Sequence, residues 1–298
     1  MAGKAPLFIG VIMPAGLRTS LGHHSDKGRK PVNQDFHGAL IPDEPLLSRK
    51  GIAIAISDGV SSSDVSHIAS ESAVKGFLTE YYRTSLSWSV KTSAQRVFAA
   101  ANARLHSQTR RSQHACDREK GYVCTLSAMV LKSTRAHIFH AGDCRIYRIV
   151  GNTLEQLTDD HRVAVSSTRS YLARALGINP RIEIDYRAIA VEKGDVFLLV
   201  TDGVYEYVNP RFVARTIADN SADLDKAARI IVDKALQNGS ADNLTIQIVR
   251  IDDLPQRDAS DIFRSSIGRN PNLFWKLAIA ILVCIGIGLL ASRMGIGH

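Results

Sequence analysis

Two acidic motifs stand at the ends of apolar segments that the sequence predicts to be strands. They are SDGV at 57–60 and TDGV at 201–204. A carboxylate at the end of a strand lies at the rim of a sheet, where a cleft can form, and a glycine lets the backbone approach a ligand closely. We therefore interpret Asp58, Asp202 and the carbonyl of Gly59 as candidate ligands of a metal ion.

Three more aspartates occupy similar positions beside predicted strands, namely Asp35, Asp143 and Asp242. Carboxylates, carbonyls and water are the ligands that Mg²⁺ and Mn²⁺ prefer. No histidine or cysteine cluster in the sequence has the spacing of a zinc site. Any single aspartate could be an ordinary turn residue, but the set of five favours a site for hard divalent cations.

The elements that must position these residues alternate between strand-like and helix-like patterns over residues 7–250. The predicted helices are 64–82, with Asp64 as its cap, 92–114 and 223–236, and the predicted strands include 51–57, 122–131, 135–140, 144–150, 153–157, 195–200 and 244–251. Their order mixes hairpins with crossovers. It therefore favours an α+β sandwich over a doubly wound parallel sheet.

Composition excludes several classes of protein. The chain has 298 residues, of which 45% are hydrophobic and 22% charged, so it is neither fully disordered nor collagen-like. The net charge of +8 would suit a nucleic-acid partner, but the chain has no long Lys/Arg block and only 6% aromatic residues, so we expect no nucleic-acid binding. The four cysteines form no CxxC pair, which predicts reduced thiols in a cytosolic compartment.

A long apolar segment lies near the C-terminus. Residues 277–291 contain no charge, and the segment extends upstream to 273, interrupted only by Lys276. About 20 apolar residues span a bilayer, and a lysine near one end can reach the interface. Four basic residues precede 277–291 and one follows, which predicts a cytoplasmic N-terminal part. We expect a single-pass anchor in the inner (cytoplasmic) membrane; a buried core helix is the alternative.

The chain then divides into four parts. These are a folded domain at 1–251, a polar linker at 252–272, a transmembrane helix at 273–291 and a short tail at 292–298. The N-terminus lacks the long apolar core of a secretory signal, so none is expected.

Eight short motifs follow one another between about residues 15 and 250. They are NQDF (33–36), SDGV (57–60), GYVCTLSA (121–128), AGDCR (141–145), LTDDHR (157–162), LARALG (172–177), TDGV (201–204) and SADNLT (240–245). Each is modest alone, but their order is specific. With them the sequence resembles the metal-dependent serine/threonine protein phosphatases of the PPM or type 2C family, in their bacterial form.

The resemblance implies an α-β-β-α sandwich of two central antiparallel sheets flanked by helices, with the metal ions in a cleft at one end. It also implies hydrolysis of phosphoserine or phosphothreonine by a metal-activated water. The expected partners are phosphorylated proteins, the targets of a Ser/Thr kinase, and a membrane through the C-terminal helix. Residues 160–185 match the mobile flap that lies beside the cleft in this family.

The resemblance also implies a role for each acidic residue, with two Mn²⁺ or Mg²⁺ ions and a weaker third. Asp58 would bridge two ions, the Gly59 carbonyl would bind one of them, Asp202 and Asp242 would complete the shell of the other, Asp35 would act through bound water, and Asp143 would hold the third ion together with Asp202.

One departure from the family pattern concerns phosphate binding. Lys30 stands four positions before Gln34, where the family usually has an arginine. A lysine supplies a point charge rather than a bidentate fork. We include Lys30 with Asp58 and Asp202 among the candidate catalytic residues. The alternative function is a catalytically weak or inactive phosphatase-like module that binds a partner at the membrane.

Overall fold

The computed structural model describes residues 16–166 and 169–255, and within them it has twelve strands and six α-helices. The strands are β1 (Arg18–Asp26), β2 (Phe36–Leu40), β3 (Ile52–Ser57), β4 (Leu126–Lys132), β5 (Arg135–Ala141), β6 (Arg145–Val150), β7 (Thr153–Gln156), β8 (Arg162–Ser166), β9 (Arg169–Leu172), β10 (Asp185–Ala190), β11 (Val196–Val200) and β12 (Leu244–Asp253). The helices are α1 (Leu46–Lys50), α2 (Ser66–Arg83), α3 (Val90–Arg111), α4 (Asp202–Tyr205), α5 (Pro210–Asp219) and α6 (Leu224–Gln237).

Ten of these strands form two five-stranded antiparallel sheets. Sheet 1 has the order β1-β12-β11-β6-β7, and sheet 2 has the order β10-β5-β4-β3-β2. Strands β8 and β9 form a separate hairpin inside the predicted flap. The predicted α+β class is confirmed, since every strand pair is antiparallel.

The two sheets pack face to face through alternate residues of their central strands. Along β3, Ile54 and its apolar neighbours two positions away face sheet 1, where they join Phe197 and Leu199 of β11 in one core. The intervening Ala53 and Ala55 face the opposite way, into a second core. This alternation follows from the two-residue period of a strand. It makes β3 and β11 buried central strands.

Helices cover the outer face of each sheet. Phe77 of α2 and Phe98 of α3 are fully buried against sheet 2. Ile231 and Val232 of α6 are fully buried against sheet 1, where α4 and α5 also pack. The resulting layers are helix, sheet, sheet and helix, so the predicted architecture is confirmed for the described residues.

One predicted helix start is wrong. The helix predicted at 64–82 begins at Ser66, its N-cap is Val65, and no side chain caps it. The Asp64 carboxylate lies 3.2 Å from Nε2 of His114 instead. Capping requires a side-chain oxygen next to the first free backbone N–H groups, and Asp64 precedes that position by one residue. By contrast, Asp223 caps α6 and accepts a hydrogen bond from the Lys226 backbone N–H.

No helix within residues 16–166 and 169–255 has the length and apolar character needed to cross a membrane. The segment predicted to span the membrane, 273–291, lies outside these residues, as do the tail and most of the predicted linker.

Candidate metal centre

The two Asp-Gly motifs meet because they end central strands of opposite sheets. Asp58 follows β3 of sheet 2, and Asp202 follows β11 of sheet 1 and begins α4. Both line one cavity of about 280 Å³, together with Gly59, Asp143 and Asp242. Asp143 lies in the connection between β5 and β6, and Asp242 lies two residues before β12. Four of the five predicted aspartates are therefore around one cleft at the end of the sandwich.

The backbone around Asp58 is held from two sides. The Asp58 N–H donates to Oγ1 of Thr125 at 2.8 Å, and the Thr125 N–H donates to the Asp58 carbonyl at 2.8 Å. The Gly59 N–H donates to the Gln34 carbonyl at 3.1 Å. A Cβ at Gly59 would lie 2.8 Å from the carbonyl oxygen of Ser66 and 2.9 Å from that of Gln34, so only glycine fits without a shift.

Asp35 lies beneath the cleft rather than on its wall. It is only 6% exposed, and its Oδ2 accepts a hydrogen bond from Oγ1 of Thr201 at 2.9 Å. Burial raises the pKa of Asp35 to about 7, and the charges of Asp202 and Asp242 act in the same direction. Asp35 thus belongs electrostatically to the cluster.

Negative charge is concentrated in this cluster. Burial raises the pKa of Asp58 well above its ordinary value, and the neighbouring carboxylates of Asp35, Asp202, Asp143 and Asp242 raise it further. Burial raises the pKa of Asp202 to about 6, with further contributions from Asp143 and Asp242. Like charges that share a buried site disfavour ionisation of one another. A divalent cation would remove this repulsion.

Two buried oxygens of the cluster have no hydrogen-bond partner within the described residues. They are Oδ1 of Asp35 and Oδ1 of Asp202. A buried carboxylate oxygen left unpaired is costly, and hard divalent cations bind such oxygens. The donor set therefore fits Mg²⁺ or Mn²⁺.

Two cationic side chains of the protein also bind these carboxylates. Arg162, the first residue of β8, contacts Asp143 and Asp202, and Lys30 contacts Asp242. Within residues 16–166 and 169–255, no three or more His, Cys, Asp or Glu side chains converge closely enough to hold a metal ion.

Lys30 lies at the edge of the cleft. Its ammonium donates to Oγ of Ser61 at 2.7 Å. It lines a second cavity of about 500 Å³, which shares Ser61 and Ser62 with the first. A positive charge at this junction can contact an anion that enters the cleft.

The sequence predicts no role for Asn243, although it lies in the SADNLT motif. Its side chain accepts a hydrogen bond from the Gln34 N–H at 2.8 Å and donates to the carbonyls of Lys27 and Val32. It therefore joins the loop that carries Lys30 and Asp35 to the loop that carries Asp242.

The sequence also predicts no role for Arg162, although it ends the LTDDHR motif. Its two partners in the acidic cluster, Asp143 and Asp202, are 19 and 40 positions away. His161 holds the base of the same segment, because its N–H donates to the Gly142 carbonyl at 2.8 Å and its Nδ1 accepts from the Gly142 N–H at 3.1 Å. Arg162, Leu172 and Ile178 of the predicted flap region line the cleft.

Comparison with known proteins identifies the family of this chain. Residues 23–238 match the family model described as protein phosphatase 2C. The "Serine/threonine phosphatase stp" of Listeria monocytogenes serotype 4b is 26% identical over 274 residues, covering 83% of this chain and all of that protein. "Protein phosphatase PhpP" of Streptococcus pneumoniae serotype 2 is 23% identical over 246 residues, covering 77% of this chain and 96% of that protein.

Solved structures share the fold. The serine/threonine phosphatase of S. agalactiae has a TM-score of 0.68 at 20% identity, covering 78% of this chain and 100% of that one. The Mycobacterium tuberculosis phosphatase PstP/Ppp has a TM-score of 0.65 at 19% identity, covering 79% of this chain and 99% of that one. Because the family model spans most of the chain and the named relatives are serine/threonine phosphatases, this chain belongs to the protein phosphatase 2C family and is a protein-serine/threonine phosphatase.

Proposed function

We propose that this phosphatase depends on two Mn²⁺ or Mg²⁺ ions and hydrolyses phosphoserine and phosphothreonine in proteins by attack of water. The observation that carries the metal dependence is the pair of buried, unpartnered oxygens, Oδ1 of Asp35 and Oδ1 of Asp202, in a cluster of five aspartates. Such a concentration of buried negative charge is stable only when positive charge lies beside it. Arg162 and Lys30 supply part of that positive charge.

Asp58, the Gly59 carbonyl, Asp202 and Asp242 would hold the ions, and Asp35 would support them through water. When bound, the ions supply positive charge against the phosphate oxygens and a lowered pKa of the attacking water. Asp58 is the residue best placed to orient that water, since its backbone is held by Thr125 and its carboxylate faces the cavity.

Lys30 would bind the phosphate group of the substrate. Its ammonium lies between the metal cavity and the second cavity, which extends from the cleft past Ser61 and Ser62. A lysine makes a strong but less directional contact with phosphate than arginine does. Residues flanking the phosphorylated side chain would then lie along the second cavity.

We also propose a location for the activity. The apolar segment 273–291 and the basic residues before it would anchor the protein in the inner membrane, with the phosphatase domain in the cytoplasm. The substrates would then be phosphoproteins at or near that membrane, made by a Ser/Thr kinase. Fractionation of cells that express the full chain tests this: recovery in the soluble fraction, unchanged when residues 273–291 are deleted, would contradict it.

The function is tested with the full-length protein in mild detergent and a phosphothreonine peptide. Phosphate release should require Mn²⁺ or Mg²⁺, stop with EDTA, and fall at least about 100-fold in Asp202→Asn. Arg148→Ala is the control, because Arg148 pairs with Asp195 and does not line the cavity. Full activity in EDTA, or an active Asp202→Asn variant, would contradict metal dependence. Folded protein without turnover in any metal would favour the binding-module alternative.

A further inference from the structure

Arg162 places a guanidinium inside the acidic cluster. Its Nε donates to Oδ2 of Asp143 at 2.5 Å, its Nη2 donates to Oδ2 of Asp202 at 2.5 Å, and its Nη1 donates to Oε1 of Glu206 at 2.8 Å. Each of the three nitrogens therefore has its own carboxylate. Such a planar, permanently charged fork matches carboxylates better than an ammonium does.

The ion pair between Arg162 and Asp143 is buried at its Asp143 end. The Asp143 side chain is 5% exposed, and that of Arg162 is 28% exposed. Burial raises the pKa of Asp143, and the charge of Arg162 opposes that rise. A buried carboxylate pair without a cation would be strongly destabilising. Arg162 therefore already supplies positive charge to Asp143 and to one oxygen of Asp202.

The two oxygens of Asp202 have different partners. Oδ2 binds Arg162, whereas Oδ1 is buried and unpaired within the described residues. Among the described residues, the other buried carboxylate oxygen without a partner belongs to Asp35. Neither oxygen of Asp143 is buried and unpaired in this way. The unmet demand for a cation thus lies on the Asp35 and Asp202 side of the cluster. It does not lie between Asp143 and Asp202.

We propose that Arg162 is a built-in cation that occupies the place between Asp143 and Asp202, so that this pair takes up no divalent ion of its own. The protein would then bind two ions, and the third site implied by the family resemblance would be filled by the chain itself. This inference deepens the proposed function and rests on it.

Tethering favours Arg162 over a free ion. Arg162 is the first residue of β8 and directly follows His161, whose backbone N–H and imidazole are hydrogen-bonded to Gly142, the residue before Asp143. The guanidinium is therefore held beside its partners and acts at a high effective concentration. A free cation must displace it and break three charged hydrogen bonds.

The test counts bound Mn²⁺ per full-length chain, by equilibrium dialysis and elemental analysis over a range of free Mn²⁺. The unaltered chain should bind two ions, and Arg162→Ala and Arg162→Gln should each bind one more. Adding Asp143→Asn to either variant should remove the additional ion. Arg162→Lys keeps the positive charge and should stay at two, as should the control Arg148→Ala. Circular dichroism confirms that each variant is folded, and two neutral replacements guard against failure of one to fold.

The outcomes separate the two claims. The role of Arg162 is judged by the difference between the neutral variants and the unaltered chain. Equal counts, or a third ion in the unaltered chain that Asp143→Asn removes, would overturn it. The proposed metal dependence is judged by the unaltered chain alone, and absence of bound Mn²⁺ there would contradict that dependence whatever the variants do.

Discussion

At the scale of single residues, Gly59 shows why an Asp-Gly sequence is needed at the end of β3. The residue after Asp58 passes between the Gln34 and Ser66 carbonyls, which leave no room for a Cβ. A similar restriction holds at Gly203, where a Cβ would collide with the Asn243 carbonyl. Both motifs thus combine an aspartate of the acidic cluster with the small residue that lets the backbone pack closely.

We predict that Gly59→Ala lowers phosphatase activity at least tenfold and destabilises the fold by about 1–3 kcal/mol. The added methyl group forces backbone carbonyls apart, and the shift reaches Asp58 directly. Activity and urea unfolding of the purified protein measure both effects. Gly16→Ala is the matched control, because a Cβ there meets nothing within 4 Å. Equal behaviour of the two variants would show that the close approach at Gly59 is unimportant.

Lys30 is the residue that we propose binds the phosphate group through its positive charge. We predict that Lys30→Ala raises KM for a phosphopeptide roughly tenfold with a smaller change in kcat, because a phosphate contact made in the ground state is lost. Lys30→Arg should restore most of the affinity. The exposed neighbour Lys27→Ala serves as the control. An unchanged KM in Lys30→Ala would exclude a phosphate contact.

At the scale of elements, helix α2 links the apolar core to the site. Phe77 on its buried face packs edge-on against Phe98 of α3, with ring centroids 5.4 Å apart. At its N-terminus, the Ser66 carbonyl borders Gly59, and Oγ of Ser66 accepts a hydrogen bond from the side chain of Gln34. Packing of α2 on sheet 2 therefore sets the position of the loop that follows β3.

We predict that Phe77→Ala lowers the free energy of unfolding by about 3–5 kcal/mol, through lost burial and the cavity that remains. Ile68→Ala on the same helix should change it by no more than about 0.5 kcal/mol, because Ile68 is 42% exposed. Urea titrations of the two variants provide the comparison. A similar cost at both positions would mean that α2 contributes little through its buried face.

The elements that periodicity does not reveal are the polar, partly exposed ones. β1 has the sequence RTSLGHHSD and lies at the edge of sheet 1, where only one of its nine residues is buried. Its pairing with β12, from Arg18 opposite Asp253 to Asp26 opposite Leu244, places it in the sheet. Edge strands lack the apolar alternation that identifies β11 or β12 in a sequence, because only their backbone groups must be paired.

At the scale of the whole molecule, His140 connects sheet 2 to the segment that carries Arg162. Its Nδ1 lies 2.8 Å from Oγ of Ser127 in β4, and its Nε2 donates to the Asp159 carbonyl at 3.0 Å. Burial lowers the pKa of His140 to about 4, and the nearby His161 acts in the same direction. The folded protein therefore holds this ring in its neutral form.

The lowered pKa of His140 makes the folded protein less stable in acid. In the unfolded chain a histidine has a pKa of about 6.5. Between about pH 6.5 and 4, His140 is therefore protonated in the unfolded chain and neutral in the folded one. The contribution of His140 to stability is complete above about pH 6.5, and roughly 3 kcal/mol of it is lost as the pH falls to about 4. In EDTA, the pH dependence of urea unfolding should be shallower for His140→Asn. Identical slopes would show that His140 is protonated alike in both states.

The sequence by itself determined which aspartates lie next to strand ends, the order of the motifs and most strands of the two sheets. Aspartates next to strand ends and apolar alternation can be recognised in the sequence, because both depend on residues that are close together along the chain. Only the tertiary structure decided which charges share a cavity. Arg162 meets Asp143 and Asp202 because the β8–β9 hairpin returns to the end of the sandwich where both sheets present their carboxylates. An ion pair between residues so far apart leaves no periodic trace in a sequence, since its geometry depends on the packing of two whole sheets.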